Sequence, residues 1–306
     1  MSYFSYRLLP LFILSCAAPQ QGPASRPPII DMHLHALPAD WAGDTNPAWI
    51  PASFTHSASD EELMSRSLEE LKRYNVVRAI ASGPLEHALR WAAASPERII
   101  ASPMVGSMGE DNLERISSEY RAGRLGAMGE VAWQYDGLSP SDPTVEPFLA
   151  LAEKFDVPVG IHMGLGPPGV SYDAECCPKY RAKLGNPTLL EDALIRHPKL
   201  RVYMMHAGWP MIDETIAVMH AHPQLYADLA VINWYVPRAE FHAYLRRLVD
   251  AGLGKRLMFG SDQMVWPEAI GLAVEGIESA GFLTEEQKRD IFHDNAARFL
   301  RLQVEN

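Results

Sequence analysis

From residue 29 onward, short apolar runs rich in Val, Ile and Met alternate with longer stretches whose apolar positions recur at helical spacing. The short runs lie at 29–35, 76–82, 99–105, 125–132, 157–163, 201–206, 225–232 and 256–261, and each predicts a strand. Between the first two, Ser59 precedes Asp60, Glu61 and Glu62, an N-cap followed by early acids. Leu63, Leu68, Leu71 and Tyr74 then share one helical face. An Ala-rich helix is expected over 85–94, after Pro84. The stretches 143–155, 187–196, 210–220, 237–251 and 267–280 each open on a proline. Proline suits a helix start because the donor it lacks has no partner there. Thr284 opens a last helix that reaches Leu302.

Eight strands alternating with helices imply parallel strands joined by crossovers. Eight such units close into a (β/α)8 TIM barrel, an α/β fold of about 250 residues. A doubly wound sheet is disfavoured, since no Gly-x-Gly-x-x-Gly follows the first strand. Residues 29–306 are therefore expected to form a single-domain barrel. Two connections are long: 36–58, with Trp41, Trp49 and Phe54, and 164–186, with Tyr172, Cys176, Cys177 and Tyr180. Both leave strand C-termini, the face where barrel enzymes keep their active sites.

The N-terminal region follows neither pattern. Leu8-Leu-Pro-Leu-Phe-Ile-Leu14 follows Arg7 and has the length of a signal-peptide core, too short to span a bilayer. Ile13-Leu-Ser-Cys16-Ala17 resembles a bacterial lipobox. The expectation is a lipoprotein signal over 1–15, acylation of Cys16 and a Pro-rich tether over 16–28. Ordinary cleavage near Ala17 or Ala18 is the alternative. An exported envelope protein is implied, on the periplasmic side or at the outer membrane, touching the membrane only through a lipid anchor. The adjacent Cys176 and Cys177 match no zinc or redox spacing, and a vicinal bridge is unfavourable, so a loop dithiol is expected. Composition adds little more. The 306 residues carry a net charge of −11 and no basic cluster, which argues against a nucleic-acid partner. A small-molecule substrate is expected, and a homo-oligomer is compatible with the sequence.

The chemistry gathers at strand ends. His33 and His35 close the first run, at a spacing that points both side chains the same way on a strand. Glu130 ends the fourth run, His162 the fifth, His206 the sixth, and Asp262 closes the eighth. In a barrel these termini converge. Four imidazoles and two carboxylates suit zinc or a similar divalent cation, as one ion or as two sharing a carboxylate. One such residue at a strand end is ordinary; six at the same end of separate strands specify a metal site.

With these residues the chain resembles the amidohydrolase superfamily, in its amidohydrolase-related branch. The carriers are Asp31-Met-His33-Leu-His35, Gly129-Glu130-Val131, Pro158-Val-Gly-Ile-His162, His206-Ala-Gly-Trp209, Phe259-Gly-Ser-Asp262 and Asn295-Ala-Ala-Arg-Phe299. The resemblance implies that His33, His35 and Asp262 hold a buried metal. It gives His162 to the same or a second ion, and His206 to a second ion or to the reacting water. Many two-metal members use a carbamylated lysine on the fourth strand; this chain has Glu130 instead. The expected reaction is hydrolysis of a small lactone, ester or amide, with Asp262 and His206 as catalytic groups and Asp31 supporting a ligand. Trp133, Tyr135, Trp209 and Trp266 are expected to bind substrate. The alternatives are a metal-dependent decarboxylase of an aromatic or unsaturated acid, for which Arg181 or Arg238 would be the cation, and a non-catalytic metal-binding lipoprotein.

Overall fold

The computed structural model describes residues 26–43, 45–106, 109, 112–174 and 176–302. The expected signal segment, Cys16 and most of the tether lie outside the described residues. Strands β1 (Ile29–His35), β2 (Val76–Gly83), β3 (Ile99–Pro103), β4 (Met128–Val131), β5 (Val159–His162), β6 (Val202–Met205), β7 (Tyr226–Asp228) and β8 (Leu257–Met258) follow in chain order. They form two parallel ladders, β1-β2-β3 and β4-β5-β6-β7-β8. The ladders meet at both seams. At one, Val105 pairs in parallel with Val131. At the other, Met32 N–H donates to the Phe259 carbonyl at 2.9 Å and Asp262 N–H to the His33 carbonyl at 2.7 Å. The chain has the expected α/β TIM-barrel fold.

Helix α1 (Asp60–Arg73) begins where its cap predicts: the Ser59 hydroxyl accepts from Glu62 N–H at 3.2 Å, and Leu63 and Leu71 are fully buried. Helix α2 (Leu85–Ala94) matches its expected bounds. The sequence pattern missed α3 (Leu113–Arg121), which Asn112 caps by accepting from Arg115 N–H at 3.0 Å. The proline-led stretches become α4 (Glu146–Phe155), α5 (Glu191–Arg196), α6 (Ile212–Ala221), α7 (Arg238–Asp250) and α8 (Glu268–Glu278). In α5 a 3₁₀ turn, Pro187–Leu190, takes the first half of the expected helix. The expected last helix divides into α9 (Glu285–Arg289), a π turn (Asp290–Asp294) and α10 (Asn295–Leu300). Asn295 fastens that division to β8 by donating to the Gly254 and Leu257 carbonyls at 2.8 and 2.7 Å.

Several strands are shorter than the apolar runs suggest, because the chain leaves the ladder in left-handed backbone. His206, Ala207, Val231 and Asp262 have φ of 57°, 47°, 58° and 48°. Such values are uncommon for residues with a Cβ and gather at functional sites. The main apolar core lies between the strands and the helices. A smaller cluster joins Ile30, Met32, Ile80, Tyr203, Met205 and Met258 with Ala296 and Phe299 of α10. Phe299 packs on Tyr226, the first residue of β7, and its carbonyl accepts from Arg201 just before β6, so α10 covers the end of the barrel opposite the candidate site.

Candidate metal centre

The residues expected at the strand ends come together. His33 and His35 leave β1 with Nε2 atoms 3.2 Å apart. Glu130 Oε2 lies 3.7 Å from His33 Nε2 and 3.3 Å from His35 Nε2. Its other oxygen, Oε1, contacts His162 Nδ1 and lies 3.8 Å from His206 Nε2. His206 Nε2 and His162 Nδ1 are 3.1 Å apart. Asp262 Oδ1 approaches His35 Nε2 at 3.0 Å and His33 Nε2 at 3.9 Å. The donor atoms form three compact triads: His33-His35-Glu130, Glu130-His162-His206 and His33-His206-Asp262. Two of them share Glu130 through different oxygens, the arrangement of a bridging carboxylate.

The outer contacts decide how the rings present themselves. His33 Nδ1 faces Asp228 Oδ2 at 3.2 Å, His35 Nδ1 faces the Ser82 carbonyl at 3.2 Å and His206 Nδ1 faces the Ala230 carbonyl at 3.1 Å. Each acceptor can accept a hydrogen bond from Nδ1–H, so that the neutral ring presents the lone pair of Nε2 inward. Two bare imidazole nitrogens 3.2 Å apart repel unless a cation lies between them. The donor set, nitrogen and carboxylate oxygen, fits a divalent metal.

Electrostatics agree. Burial alone would lower the pKa of His33 and His35. Asp262 and Asp228 instead hold His33 well above the ordinary imidazole range. Asp262 and Glu130 lift His35 to about 9. Burial opposes ionisation of Glu130, yet His162 and the other imidazoles hold its carboxyl well below its usual range. Asp262 is likewise lowered against burial, by His33 and His35. His162 is lowered by burial and by His206. A buried site holding this much negative charge calls for positive charge, as protons or as metal.

The amidohydrolase family profile matches residues 30–302. The chain belongs to the amidohydrolase family. A search of curated proteins finds no match. Solved structures share the fold. A TIM-barrel protein from Bordetella bronchiseptica superposes with a TM-score of 0.64 at 18% identity, over 90% of this chain and 98% of that one. A probable 2-pyrone-4,6-dicarboxylic acid hydrolase from Acinetobacter baumannii gives 0.62 at 12% identity, over 90% and 99%. A 2,6-dihydroxybenzoate decarboxylase from Rhizobium gives 0.60 at 13% identity, again over 90% and 99%.

Around the cluster of this amidohydrolase, two supports differ from a simple ligand reading. Asp31 reaches no ring: its Oδ1 accepts from His33 N–H at 3.0 Å and Ser261 N–H at 2.9 Å, tying β1 to the β8 segment, and burial raises its pKa to about 6. Asp228 escaped the sequence analysis. It is fully buried at the end of β7, where it meets His33 Nδ1 and accepts from His206 N–H at 2.9 Å and Ala230 N–H at 3.0 Å. A lone acid inside the apolar run Tyr226-Ala-Asp228-Leu-Ala was its available signal. Gln263 supports His35 by accepting its N–H at 2.8 Å and donating to its carbonyl at 2.6 Å.

The four expected substrate-binding aromatics separate. Tyr135 sits edge-on to His162 with ring centres 5.2 Å apart. Trp209 follows the His206 turn and is partly buried. Trp133 packs on Phe148 within the main core. Trp266 is fully buried and donates to Asn46 Oδ1 at 2.8 Å, an apolar wall rather than a lining. The two arginines are engaged elsewhere: Arg181 with the Pro178 and Tyr180 carbonyls, Arg238 with the Asn233 carbonyl. The expected dithiol is corrected: Cys176 and Cys177 form a disulfide. The turn makes this possible, since Asp173 accepts from both residues' N–H groups and folds them together. Cys177 packs with Val170 and Tyr180 against Tyr135.

Proposed function

We propose that this chain is a metal-dependent hydrolase that uses water to open a small lactone, ester or amide. One observation carries the reading: three imidazoles face outward acceptors with Nδ1 and turn Nε2 toward the ligand cluster that includes Glu130 and Asp262. His33, His35 and Glu130 would hold one ion, and Glu130, His162 and His206 a second; zinc fits the mixed nitrogen and oxygen donors. A divalent cation, when bound, polarises the scissile carbonyl and brings the pKa of water from 15.7 toward about 7. Asp262, held ionised by His33 and His35 and with Oδ1 3.0 Å from His35 Nε2, accepts the proton of the attacking water and passes it to the leaving group. His206 is held in one tautomer by the Ala230 carbonyl, which leaves its Nε2 to serve as the ligand atom.

Metal analysis comes first. Stoichiometric zinc or a similar ion is expected, and a metal-free, metal-refusing protein overturns the reading. The loaded protein is then screened with lactones, esters, amides and aromatic acids, following ring opening and CO2 release. Water consumption with ring opening supports hydrolysis; CO2 release alone makes the enzyme a decarboxylase.

We propose also that the chain is exported and acylated at Cys16, on the strength of the apolar run at 8–14 and the lipobox-like Leu14-Ser15-Cys16. Cys16→Ser is expected to abolish palmitate labelling and membrane fractionation; unchanged labelling removes this assignment.

A further inference from the structure

Glu130, the carboxylate that two of the donor triads share, is carried where regular strand pairing slips. Between β4 and β5, Met128 pairs with Val159 and Val131 with Ile161, and the register shifts across Gly129 and Glu130. On the other side β3 and β4 belong to separate ladders, joined in parallel at Val105 and Val131. Two buried serines reach this segment. Ser82 and Ser102 are the penultimate residues of β2 and β3, are register partners, and are 1% and 0% exposed. Ser102 Oγ donates to the Gly129 carbonyl at 2.6 Å. Ser82 Oγ accepts from Glu130 N–H.

That carbonyl and that N–H are the two polar atoms of one peptide group, so the two hydroxyls together fix its orientation. Gly129 closes another direction, because a Cβ there would lie 2.6 Å from the Gly160 carbonyl oxygen of β5. Ser82 also presents its own carbonyl to His35 Nδ1 at 3.2 Å, so one residue contacts two members of the His33-His35-Glu130 triad. The demand on Glu130 is geometric. Its Oε2 faces His33 and His35 while its Oε1 faces His162 and His206. A group that serves two sides at once has to be held within about 0.5 Å of its working position. Removing either hydroxyl strands a buried N–H or carbonyl. A peptide group that relaxes to pair it again carries the carboxylate away.

We propose that Ser82 and Ser102 are positioning residues for Glu130: together they clamp the Gly129–Glu130 peptide and so aim one carboxylate at two triads. The proposal rests on the metal-dependent reading above and adds to it two residues that act through the main chain of Glu130. The plainer role for the same hydroxyls is to stabilise the join between the two ladders. The roles differ in what they move. Stabilising the join sets the melting temperature, whereas aiming Glu130 sets metal affinity and the geometry of the bound ion.

The test is zinc binding to the full chain, by competition with a chromogenic chelator. Beside it are measured the melting temperature of the metal-free protein and the visible absorption of the cobalt-loaded protein, which reports coordination geometry. Ser82→Ala and Ser102→Ala are each expected to weaken zinc binding about 10–100-fold, the range for residues that orient a ligand, and to alter the cobalt spectrum. The double variant should lose less than the product of the two single losses, because both hydroxyls hold one peptide group. Tyr120→Phe is the control. The Tyr120 hydroxyl donates to the Ala127 carbonyl at 2.7 Å and so holds β4 at its other end. That variant should lower the melting temperature and leave zinc affinity and the cobalt spectrum unchanged. Should Ser82→Ala fail to fold, Ser102→Ala carries the same expectation. Serine variants that bind zinc like the wild type overturn the proposal and leave the metal-dependent reading standing, as does an equal loss in Tyr120→Phe. A wild-type protein that takes up neither zinc nor cobalt overturns both.

Discussion

The two ends of the barrel are made by the same strands and carry opposite physics. Where the strands begin, Ile30, Tyr203 and Tyr226 pack with Ala296 and Phe299 of α10, and the Tyr203 hydroxyl donates to the Met32 carbonyl at 2.9 Å. Apolar surface is removed from water there and the polar groups are paired. Where the strands end, four imidazoles and two carboxylates crowd together, and His206, Val231 and Asp262 adopt left-handed backbone. That end costs stability in two ways: buried charge must be compensated, and left-handed residues with side chains are strained. The difference teaches that the closed end and the helix–strand core stabilise a mouth that would not hold itself together. Conversely, damage to the mouth should appear as lost chemistry, and damage to the closed end as lost stability.

The largest expected effect is at the mouth. Asp262→Asn keeps the shape of the side chain and removes the proton acceptor, so turnover should fall about 10²–10⁴-fold. The melting temperature should stay near that of the wild type, measured beside steady-state kinetics and metal content. Unchanged turnover would remove Asp262 from the reaction; collapse of the fold would break the separation of the two ends. At the closed end, Phe299→Ala should cost about 3–5 kcal/mol of stability by leaving a cavity against Tyr203 and Tyr226. Urea unfolding measures this, and KM should not move. Asp228→Asn joins the two kinds of effect. It weakens the acceptor on His33 Nδ1 and should cut metal affinity about 10–100-fold, read by competition with a chromogenic chelator. An unaltered affinity would mean that the orientation of His33 is set by β1 alone.

The division between the ends also explains what the sequence discloses. Eight apolar runs at regular intervals report the barrel because burial on both faces of a parallel strand demands near-continuous apolar character. His33 and His35 report the site because a two-residue spacing on a strand has one geometric consequence. Helix α3 was missed because its face is short, with Ile116 and Tyr120 as its buried apolar residues and Ser117 between them. Asp228 was missed because a residue that acts through another's ring nitrogen and through two backbone N–H groups follows no ligand spacing. Trp133 and Trp266 illustrate the converse: an aromatic near a strand end is as able to fill the wall beneath a loop as to line the pocket, and only the neighbours Phe148 and Asn46 distinguish the two.

The smallest effect separates the ends by proton count. With no cation bound, His35 titrates at about 9 and His33 also well above the usual range, so at pH 7 both rings are protonated. A metal takes the same lone pairs and must displace those protons. Metal binding at pH 7 in weak buffer should therefore release at least one proton per chain, followed with an indicator dye. Affinity should strengthen as pH rises from about 7 towards 9 and weaken as it falls, because protons compete for Nε2 below the pKa of the empty site. A site built from imidazoles that are already neutral would instead show an affinity that is flat over this window. Tyr203→Phe, at the closed end, should leave the proton count unchanged. A flat affinity between pH 7 and 9 would show that Glu130 and Asp262 do not hold His33 and His35 charged, and the electrostatic contrast between mouth and base would fail with it.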